Sequence, residues 1–437
     1  MDFQQGISGL NAASRNLEVI GNNIANANTV GAKASRAEFA DIYASQALSE
    51  TSTGSAGMGV GIAAVTQQFG QGGISTTDNP MDVAINGRGF FTVVAPGSND
   101  PAYTRNGEFQ VDAQGYLVNN DHMRVQGYAV DAATGNSSGV SGDIQLPTQG
   151  IGPAVTTHGS VELNLDATTP APAAAMPAFS MSDPSSFTSS TSMRVYDQQG
   201  NEQVVSLYFR RTATDNQWDV YASMGGTGIP AAAAGSQVPA GQLTFNPDGS
   251  LDLANSGSLS ASGTLTAGNL SLDLPFASAT LPVPPSASAT SAPVSLSFAN
   301  STQYGTAFGV TSIDQDGHAP GQLTGIAVDA DGKIQARYSN GVTLAAAQVA
   351  LANFRNEQGL VPVGGNLWRA TPESGAPALG APGSASLGQL QGGALEQSNI
   401  DLTQQLVDMI SAQRSYQANA QTIKTQDQML STLLNMR

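Results

Sequence analysis

Cysteine is absent from the 437-residue sequence, histidine occurs three times, and charged residues make up only 11%. Without thiols there is no disulfide, thiolate nucleophile or cysteine-bound metal, and the redox compartment is left open. The serines are not accompanied by a nucleophile-elbow motif, and no acidic loop has the ligand spacing of a calcium site. We therefore expect no metal, no cofactor and no catalytic residues, and a protein that is not an enzyme.

Basic residues are also few. Sixteen lysines and arginines stand against 33 acidic residues, which gives a net charge of -17. A protein that binds nucleic acid or anionic lipid needs clustered positive charge, so neither partner is expected. No apolar run reaches the roughly 18 residues of a membrane span, and the N-terminus lacks the pattern of a cleaved secretory signal. We expect no membrane insertion and no cleaved signal peptide.

Both ends of the chain carry apolar residues at seven-residue spacing, which is typical of helices that pair in a coiled coil. One explanation is that both helices pack on a single globular core. The N-terminal run is interrupted by Gly6 and Gly21, however, and a marginal helix orders only when it finds a partner. We therefore predict that both runs carry self-assembly, and that Asp401 or Asn399 caps the second helix. The predicted residues are Phe3, Leu10, Leu17, Ile20, Ile24, Leu402, Leu406, Met409, Tyr416, Ile423, Leu430 and Leu434.

Between the ends, the apolar pattern changes to a period of two, which predicts β-strands. Asn-Gly pairs such as Asn86–Gly87 and Asn340–Gly341 are typical of hairpin turns. Two β segments of similar texture flank a centre rich in small residues, which favours one β-domain with a second inserted in it. The predicted fold is α+β, mostly β, and the isolated residues Trp218 and Trp368 are predicted to lie in its core. Its parts are terminal helices 1–30 and 400–437, a connecting segment 31–71, an inner β-domain 72–146 and 301–399, and an inserted outer β-domain 147–300.

Several stretches carry distinctive motifs, such as Asn-Asn-Ile-Ala-Asn-Ala-Asn-Thr at 22–29 and Asn-Pro-Met-Asp at 79–82. Together with 395–416, they resemble the signatures of the bacterial flagellar axial family, which comprises rod, hook and hook-associated proteins. The signature residues are Asn22, Asn26, Asn28, Thr29, Gly31, Asn79, Pro80, Asn86, Gly87, Gly89, Asn399 and Asp401.

Within that family, the stretches 308–317, 338–341, 351–354 and 421–437 are similar to the flagellar hook proteins. The resemblance implies a subunit that self-assembles into a flexible helical tube, a universal joint that transmits torque from rod to filament. It implies a homo-polymer whose partners are the flagellar rod, the hook cap, the hook–filament junction proteins and the type III export apparatus. The implied location is the extracellular hook.

Two alternatives remain at this stage. A distal rod or hook-associated protein would share the same signatures, but a rod protein would lack so large an insertion as 147–300. A secreted β-rich enzyme or adhesin belongs to a different class. Its activity would survive removal of the terminal helices, whereas a hook subunit would lose assembly.

Overall fold

The computed structural model describes residues 2–42, 59–131, 135–170, 177–229, 237–259, 264–274 and 292–435. Within them the chain forms two compact units. The first unit comprises Met1–Thr148, Thr324–Arg337 and Thr343–Arg437, and the second comprises Gln149–Leu323 and Tyr338–Val342. The predicted fold class is confirmed, because the fold is mostly β with one long helix at each end.

Helix α1 (Asp2–Ala25) ends in an asparagine-rich turn. The side chain of Asn26 donates a hydrogen bond to the backbone carbonyl of Asn22 at 2.9 Å, which competes with continuation of the helix. Gly31 then has φ +70°, and a Cβ atom there would lie 2.7 Å from the backbone nitrogen of Asn106. Only glycine fits this position, where the chain leaves the helix for the first strand.

Helix α2 (Leu402–Asn435) begins at a side-chain cap. The Asp401 carboxylate accepts hydrogen bonds from the backbone N–H groups of Thr403 at 2.8 Å and Gln404 at 3.1 Å. These are two of the N–H groups that a helix start leaves without a partner, so the predicted cap is confirmed. At 1.5 Å per residue the helix is about 50 Å long.

The strands are numbered in chain order. The first ten are β1 Ser35–Asp41, β2 Val60–Gln67, β3 Ile74–Thr76, β4 Val83–Asn86, β5 Phe90–Val94, β6 Pro101–Thr104, β7 Gln110–Val111, β8 Leu117–Val118, β9 Arg124–Val130 and β10 Ser137–Asp143. The next twelve are β11 His158–Asp166, β12 Ser189–Tyr196, β13 Glu202–Arg211, β14 Gln217–Met224, β15 Thr227–Ile229, β16 Gly241–Thr244, β17 Gly257–Leu259, β18 Leu265–Ala267, β19 Leu270–Leu274, β20 Ala292–Ser297, β21 Thr302–Tyr304 and β22 Gly309–Gln315. The last nine are β23 Leu323–Val328, β24 Lys333–Tyr338, β25 Thr343–Val349, β26 Leu351–Asn353, β27 Val361–Gly364, β28 Leu367–Arg369, β29 Ala378–Gly380, β30 Gln389–Gly392 and β31 Ala394–Glu396.

The first unit is built around a sheet whose main strand order is β23-β24-β25-β9-β5-β6-β28-β27. Three strands from before the second unit (β9, β5 and β6) lie between strands from after it, so the unit needs both halves of the chain. Its core mixes them as well, with Ile85, Phe91 and Val125 packed beside Ile334 and Val349. The strands β1 and β2 form a separate two-stranded hairpin.

A second apolar cluster of the first unit consists of aromatic residues. Phe90 makes edge-on contacts with Phe69, Phe354 and Trp368, with ring centroids 5.5 to 5.9 Å apart. Such edge-on pairs are favoured by the ring quadrupoles. Trp368 is 2% exposed, as predicted for a core residue. This aromatic cluster lies at the end of the sheet where the terminal segments join it.

The second unit contains two sheets that share one core. The sheet β19-β20-β11-β21, with β22 on the other edge of β11, contributes Val161 and Leu163, and the sheet β12-β13-β14-β16-β17-β18 contributes Leu207 and Phe209. Trp218 is fully buried among them, as predicted. This unit continues to Leu323, beyond the boundary at 300 that the sequence suggested. The reason is that β21 and β22 pair with β11, about 140 residues earlier.

Candidate assembly surface

Helices α1 and α2 pack against each other in opposite directions. Asn23, near the end of α1, donates a hydrogen bond to the Gln405 side chain at 3.0 Å, near the start of α2. Gly9, near the start of α1, lies against Asn419, fourteen residues further along α2. The contact is lined by small residues such as Ala13 and Ala412, which are 8% and 5% exposed. Small side chains let the two backbones come close together.

Another side of α2 is apolar and open. Leu402, Leu406 and Ile410 are 45%, 46% and 52% exposed, and they follow each other at a spacing of four. Residues four apart lie above one another on a helix, so these three form a stripe. Tyr416 and Met429 are exposed too. We call the stripe Leu402–Leu406–Ile410 the open face of α2.

The predicted assembly residues differ in exposure. Ile20 is buried. Leu10, Leu17, Ile24, Met409 and Ile423 are half-buried, whereas Leu402, Leu406 and Tyr416 are exposed. The side chains of Phe3, Leu430 and Leu434 lie outside the described residues. The contact of α2 with α1 is made by Gln405, Ala412 and Asn419, together with Ile423 of the predicted stripe, which lies against Gly6.

Asn23 is a structural residue that the sequence analysis missed. It is 3% exposed, and its amide makes a hydrogen-bonded pair with the backbone of Ser35: Nδ2 donates to the carbonyl at 2.8 Å, and Oδ1 accepts from the N–H at 2.9 Å. With the bond to Gln405, it joins α1, β1 and α2. A polar residue inside an otherwise apolar stretch of a helical face was the signal that could have revealed it.

The signature asparagine Asn399 holds the two ends of the chain together. Its Oδ1 accepts a hydrogen bond from the backbone N–H of Ala34 at 2.8 Å, and its Nδ2 donates to the carbonyl of Gln68 at 2.7 Å. It therefore ties the segment before α2 to both arms of the β1–β2 hairpin. By contrast, the other predicted cap role of Asn399 is not seen, since Asp401 caps α2.

The remaining signature residues shape turns. Gly87 and Gly89 have φ values of +121° and +123°, which L residues rarely adopt. Asn79 accepts a hydrogen bond from the N–H of Met81 at 3.2 Å and donates to Asp82 at 2.8 Å, which closes the turn before β4. The signature residues with exposed side chains are Asn22, Asn28, Asn79, Pro80, Asn86 and Asp401. Thr29 and Asn86 make weak side-chain contacts at 3.5 and 3.4 Å.

A buried ion cluster lies where the terminal segments meet the sheet. Lys33 Nζ is 2.6 Å from Glu396 Oε1, and Arg105 Nη1 is 3.1 Å from Glu396 Oε2. All three side chains are 0 to 3% exposed. Burial is the largest influence on the pKa values of Lys33 and Arg105 and lowers both, although the carboxylate of Glu396 opposes it. We call Lys33, Arg105 and Glu396 the junction cluster.

The described residues contain no group of three or more potential metal ligands among histidine, aspartate and glutamate. In the same part of the chain, no helix is both long and apolar enough to cross a membrane. The geometry instead offers helices with an open apolar face, attached rigidly to a β-sheet. That arrangement suits association with another protein chain.

Comparison with known proteins agrees with this arrangement along the whole chain. Four family models match: the flagella basal body rod protein at residues 3–33, the flagellar hook protein FlgE/F/G D1 domain at 84–163, the flagellar basal body protein FlaE D2 domain at 164–318, and the flagellar basal body rod FlgEFG protein C-terminal at 391–436.

Full-length relatives of this chain are flagellar hook proteins as well. The chain is 40% identical to the flagellar hook protein FlgE of Salmonella typhimurium and 38% identical to that of Escherichia coli, with 100% of both chains covered in each case. It is 32% identical to the FlgE of Treponema pallidum, over 99% of this chain and 98% of the relative. The chain belongs to the flagellar hook protein FlgE family. It is a structural subunit of the hook, which is a part of the bacterial flagellum. Its function belongs to bacterial motility.

A solved structure extends the likeness to the fold. The Helicobacter pylori flagellar hook protein FlgE2 matches with a TM-score of 0.52 at 14% identity, covering 74% of this chain and 100% of that one. Membership of the FlgE family over the full length decides between the alternatives left by the sequence. The hook assignment replaces the distal rod, the hook-associated protein and the secreted enzyme or adhesin.

Proposed function

We propose that this hook subunit polymerises through its terminal helices into a helical tube. The observation that carries the proposal is the open face of α2, where Leu402, Leu406 and Ile410 are about half exposed on a helix whose other side is already packed on α1. Apolar residues at this spacing fit another amphipathic helix. The occupant we propose is a terminal helix of a second copy of the chain.

The geometry of such a contact favours a filament. The open face of α2 would meet a different surface of the next subunit, so the contact is head-to-tail rather than two-fold. Contacts of that kind do not close on themselves, and subunits add in a helix. The helices would form the tight core of the tube, lining its channel as a coiled coil, with the inner β-domain around it.

The outer part of the subunit suits a joint that bends. Across the whole chain charged residues make up only 11%, and the central region is rich in small residues. Few charges mean few fixed ion pairs between neighbouring subunits, so contacts can slide while torque passes from rod to filament. We further propose that the subunit is not catalytic. It would leave the cell through the flagellar export apparatus without a cleaved signal and contact the rod, the hook cap and the hook–filament junction proteins.

The substitution Leu406→Asp tests the role of the open face. Leu406 is 46% exposed, so the folded subunit should lose little stability, within about 0.5 kcal/mol. A charge buried between two helices of a polymer is costly, so hook assembly should fail. The measurement is electron microscopy of hooks on cells in which the variant is the only hook subunit, together with swimming in soft agar.

The matched control is Gln421→Asp, which adds the same charge at an exposed polar position of α2. It should leave hooks of normal number and length. Substitutions at Leu17 or Ile423 discriminate less well, because both side chains are half-buried within the subunit. Normal hooks built from Leu406→Asp subunits, with thermal unfolding unchanged, would exclude the open face as an assembly contact.

A further inference from the structure

Four segments of the chain meet at the junction cluster. Lys33 follows α1, Arg105 follows β6, and Glu396 is the last residue of β31, six residues before α2. The fourth segment follows the β1–β2 hairpin. Its Gly70 carbonyl accepts a hydrogen bond from Lys33 at 2.8 Å, and its Gly72 N–H donates one to Glu396 at 2.9 Å. The cluster is thus the point where both terminal segments are attached to the sheet.

The charges in this cluster do not balance. Two cations form ion pairs with one carboxylate, and all three side chains are buried. The charge of Glu357 also favours both cations, but Glu357 forms no ion pair with either. The Arg105 guanidinium lies 5.2 Å from the centre of the Phe90 ring, which belongs to the aromatic cluster. A buried charge needs a partner, and an unpaired one is strongly destabilising. Glu396 is therefore the ionic partner of both cations at once.

The imbalance makes the two terminal segments depend on each other unequally. If the segment carrying Glu396 is not docked, Lys33 and Arg105 would be two like charges buried side by side. Docking of the N-terminal segment on the sheet is then strongly unfavourable. If instead Lys33 is absent, Arg105 and Glu396 remain as a balanced pair, and the C-terminal segment can still dock.

Neutral hydrogen bonds run between the same two segments. The backbone carbonyl of Glu396 accepts from the N–H of Gly31 at 2.8 Å, and Asn399 accepts from the N–H of Ala34 at 2.8 Å. The segment that follows α1 is therefore laid directly on the segment that precedes α2. Once both are in place, the directions in which α1 and α2 leave the sheet are fixed together.

We propose that Lys33, Arg105 and Glu396 form a positioning site that docks the two terminal segments on the sheet as a pair, with the C-terminal segment required first. Glu396 acts as the switch of this order, because it forms the ion pair with each of the two cations. The functional consequence rests on the proposed assembly through the terminal helices. A subunit would present its helices in the direction needed for assembly only when both terminal segments have docked on the sheet.

The order of docking can be measured by hydrogen–deuterium exchange of the full-length chain, read by mass spectrometry. Three amides report on three places: Gly31, bonded to the Glu396 carbonyl; Gly72, bonded to the Glu396 side chain; and Ile144, bonded within the core sheet to the carbonyl of Val125 at 3.0 Å. The variants are Glu396→Gln and Lys33→Met. The substitution Glu396→Gln keeps an acceptor for Gly72 and removes only the charge.

In Glu396→Gln, exchange at Gly31 and Gly72 should rise about a hundredfold or more, while Ile144 stays protected. In Lys33→Met, exchange should rise less than about tenfold at Gly31 and remain unchanged at Gly72, since a balanced pair is left. The control is Asp143→Asn, which breaks the partly exposed pair with Arg124 in the same unit. It should leave exchange at Gly31 and Gly72 unchanged.

Three results would overturn the proposal: wild-type protection in Glu396→Gln, a rise at Ile144 equal to that at Gly31, or the same pattern in both variants. A second experiment tests hook assembly in cells in which each variant is the only hook subunit. Hooks should be lost in Glu396→Gln and kept in Asp143→Asn. Normal hooks from a Glu396→Gln chain with released segments would also overturn it, whereas normal hooks from Leu406→Asp subunits would overturn only the helix-face contact.

Discussion

Gly6 of α1 lies directly against Ile423 of α2. A Cβ atom added to Gly6 would stand 2.9 Å from Ile423 Cγ1, closer than carbon atoms tolerate without movement. Gly21, fifteen residues further along the same helix, has no heavy atom within 4 Å of such a Cβ. The first glycine is therefore needed for the packing of the helices, and the second is not.

This difference predicts opposite effects for one kind of substitution. Gly21→Ala should raise the free energy of unfolding of the first unit by about 0.5–1 kcal/mol, because alanine favours the helix over glycine. Gly6→Ala should lower it by about 1–3 kcal/mol, since overpacking forces the helices apart. The measurement is urea unfolding followed by the fluorescence of Trp368, in a Trp218→Phe background that leaves one tryptophan in the first unit.

The two variants serve as controls for each other, since each adds one methyl group to the same helix. A gain of stability in both would mean that α2 adjusts to a larger residue at Gly6. The close approach of the two backbones would then not be a requirement of the pair.

Local features of this fold were readable from the sequence. The cap at Asp401, the burial of Trp218 and Trp368 and the Asn340–Gly341 hairpin between β24 and β25 follow from interactions within a few residues or from residue type. Asn86–Gly87 shows the limit of such signals. It carries the same hairpin motif, but β4 pairs with β30 and β5 with β6, so the turn joins strands that do not pair.

The features that the sequence did not reveal depend on distant pairing. The second unit extends to Leu323 because β22 pairs with β11, and no local periodicity reports such a pairing. Likewise, the apolar stripe of α2 did not reveal which residues of α2 contact α1. Small and polar residues such as Ala412 and Asn419 make that contact, because close approach of two backbones needs small side chains rather than leucines. Glu396 lies in the signature stretch 395–416, yet its partners Arg105 and Lys33 are 291 and 363 residues away in the sequence.

Asn23 provides a test of how firmly α1 is attached. The substitution Asn23→Ala removes the hydrogen bonds to both backbone groups of Ser35 and to Gln405 in a site that is nearly inaccessible to water. Buried groups left without partners cost about 1–3 kcal/mol each. We expect the free energy of unfolding of the first unit to fall by about 2–4 kcal/mol, measured by the same fluorescence assay.

The neighbouring substitution Asn22→Ala is the control. Asn22 is exposed, and its side chain accepts one hydrogen bond from Asn26 at 3.1 Å. Its loss should change the unfolding free energy by no more than about 0.5 kcal/mol. Equal effects of the two substitutions would show that Asn23 matters as a helix residue and not as the bridge between α1, β1 and α2.

The pH dependence of stability provides a test of the junction cluster that does not depend on assembly. Burial lowers the pKa of Lys33 below its ordinary value of 10.5. The carboxylates of Glu396 and Glu357 raise this pKa, Arg105 lowers it further, and the net direction is down. The folded chain therefore loses this proton at a lower pH than the unfolded chain. Between the two pKa values the unfolded state binds more protons, so the free energy of unfolding rises with pH.

Comparison with Lys33→Met isolates this contribution. Burial also raises the pKa of Tyr103, which lowers stability as the unfolded tyrosine ionises, but that effect is present in both proteins and cancels. The wild-type unfolding free energy minus that of Lys33→Met should therefore rise as the pH approaches 10.5 from below, by at most about 1.4 kcal/mol per pH unit, and level off above about pH 10.5. A difference that stays flat or falls across this range would mean that Lys33 keeps its proton in the folded chain as readily as in water, and that Glu396 fully compensates its burial.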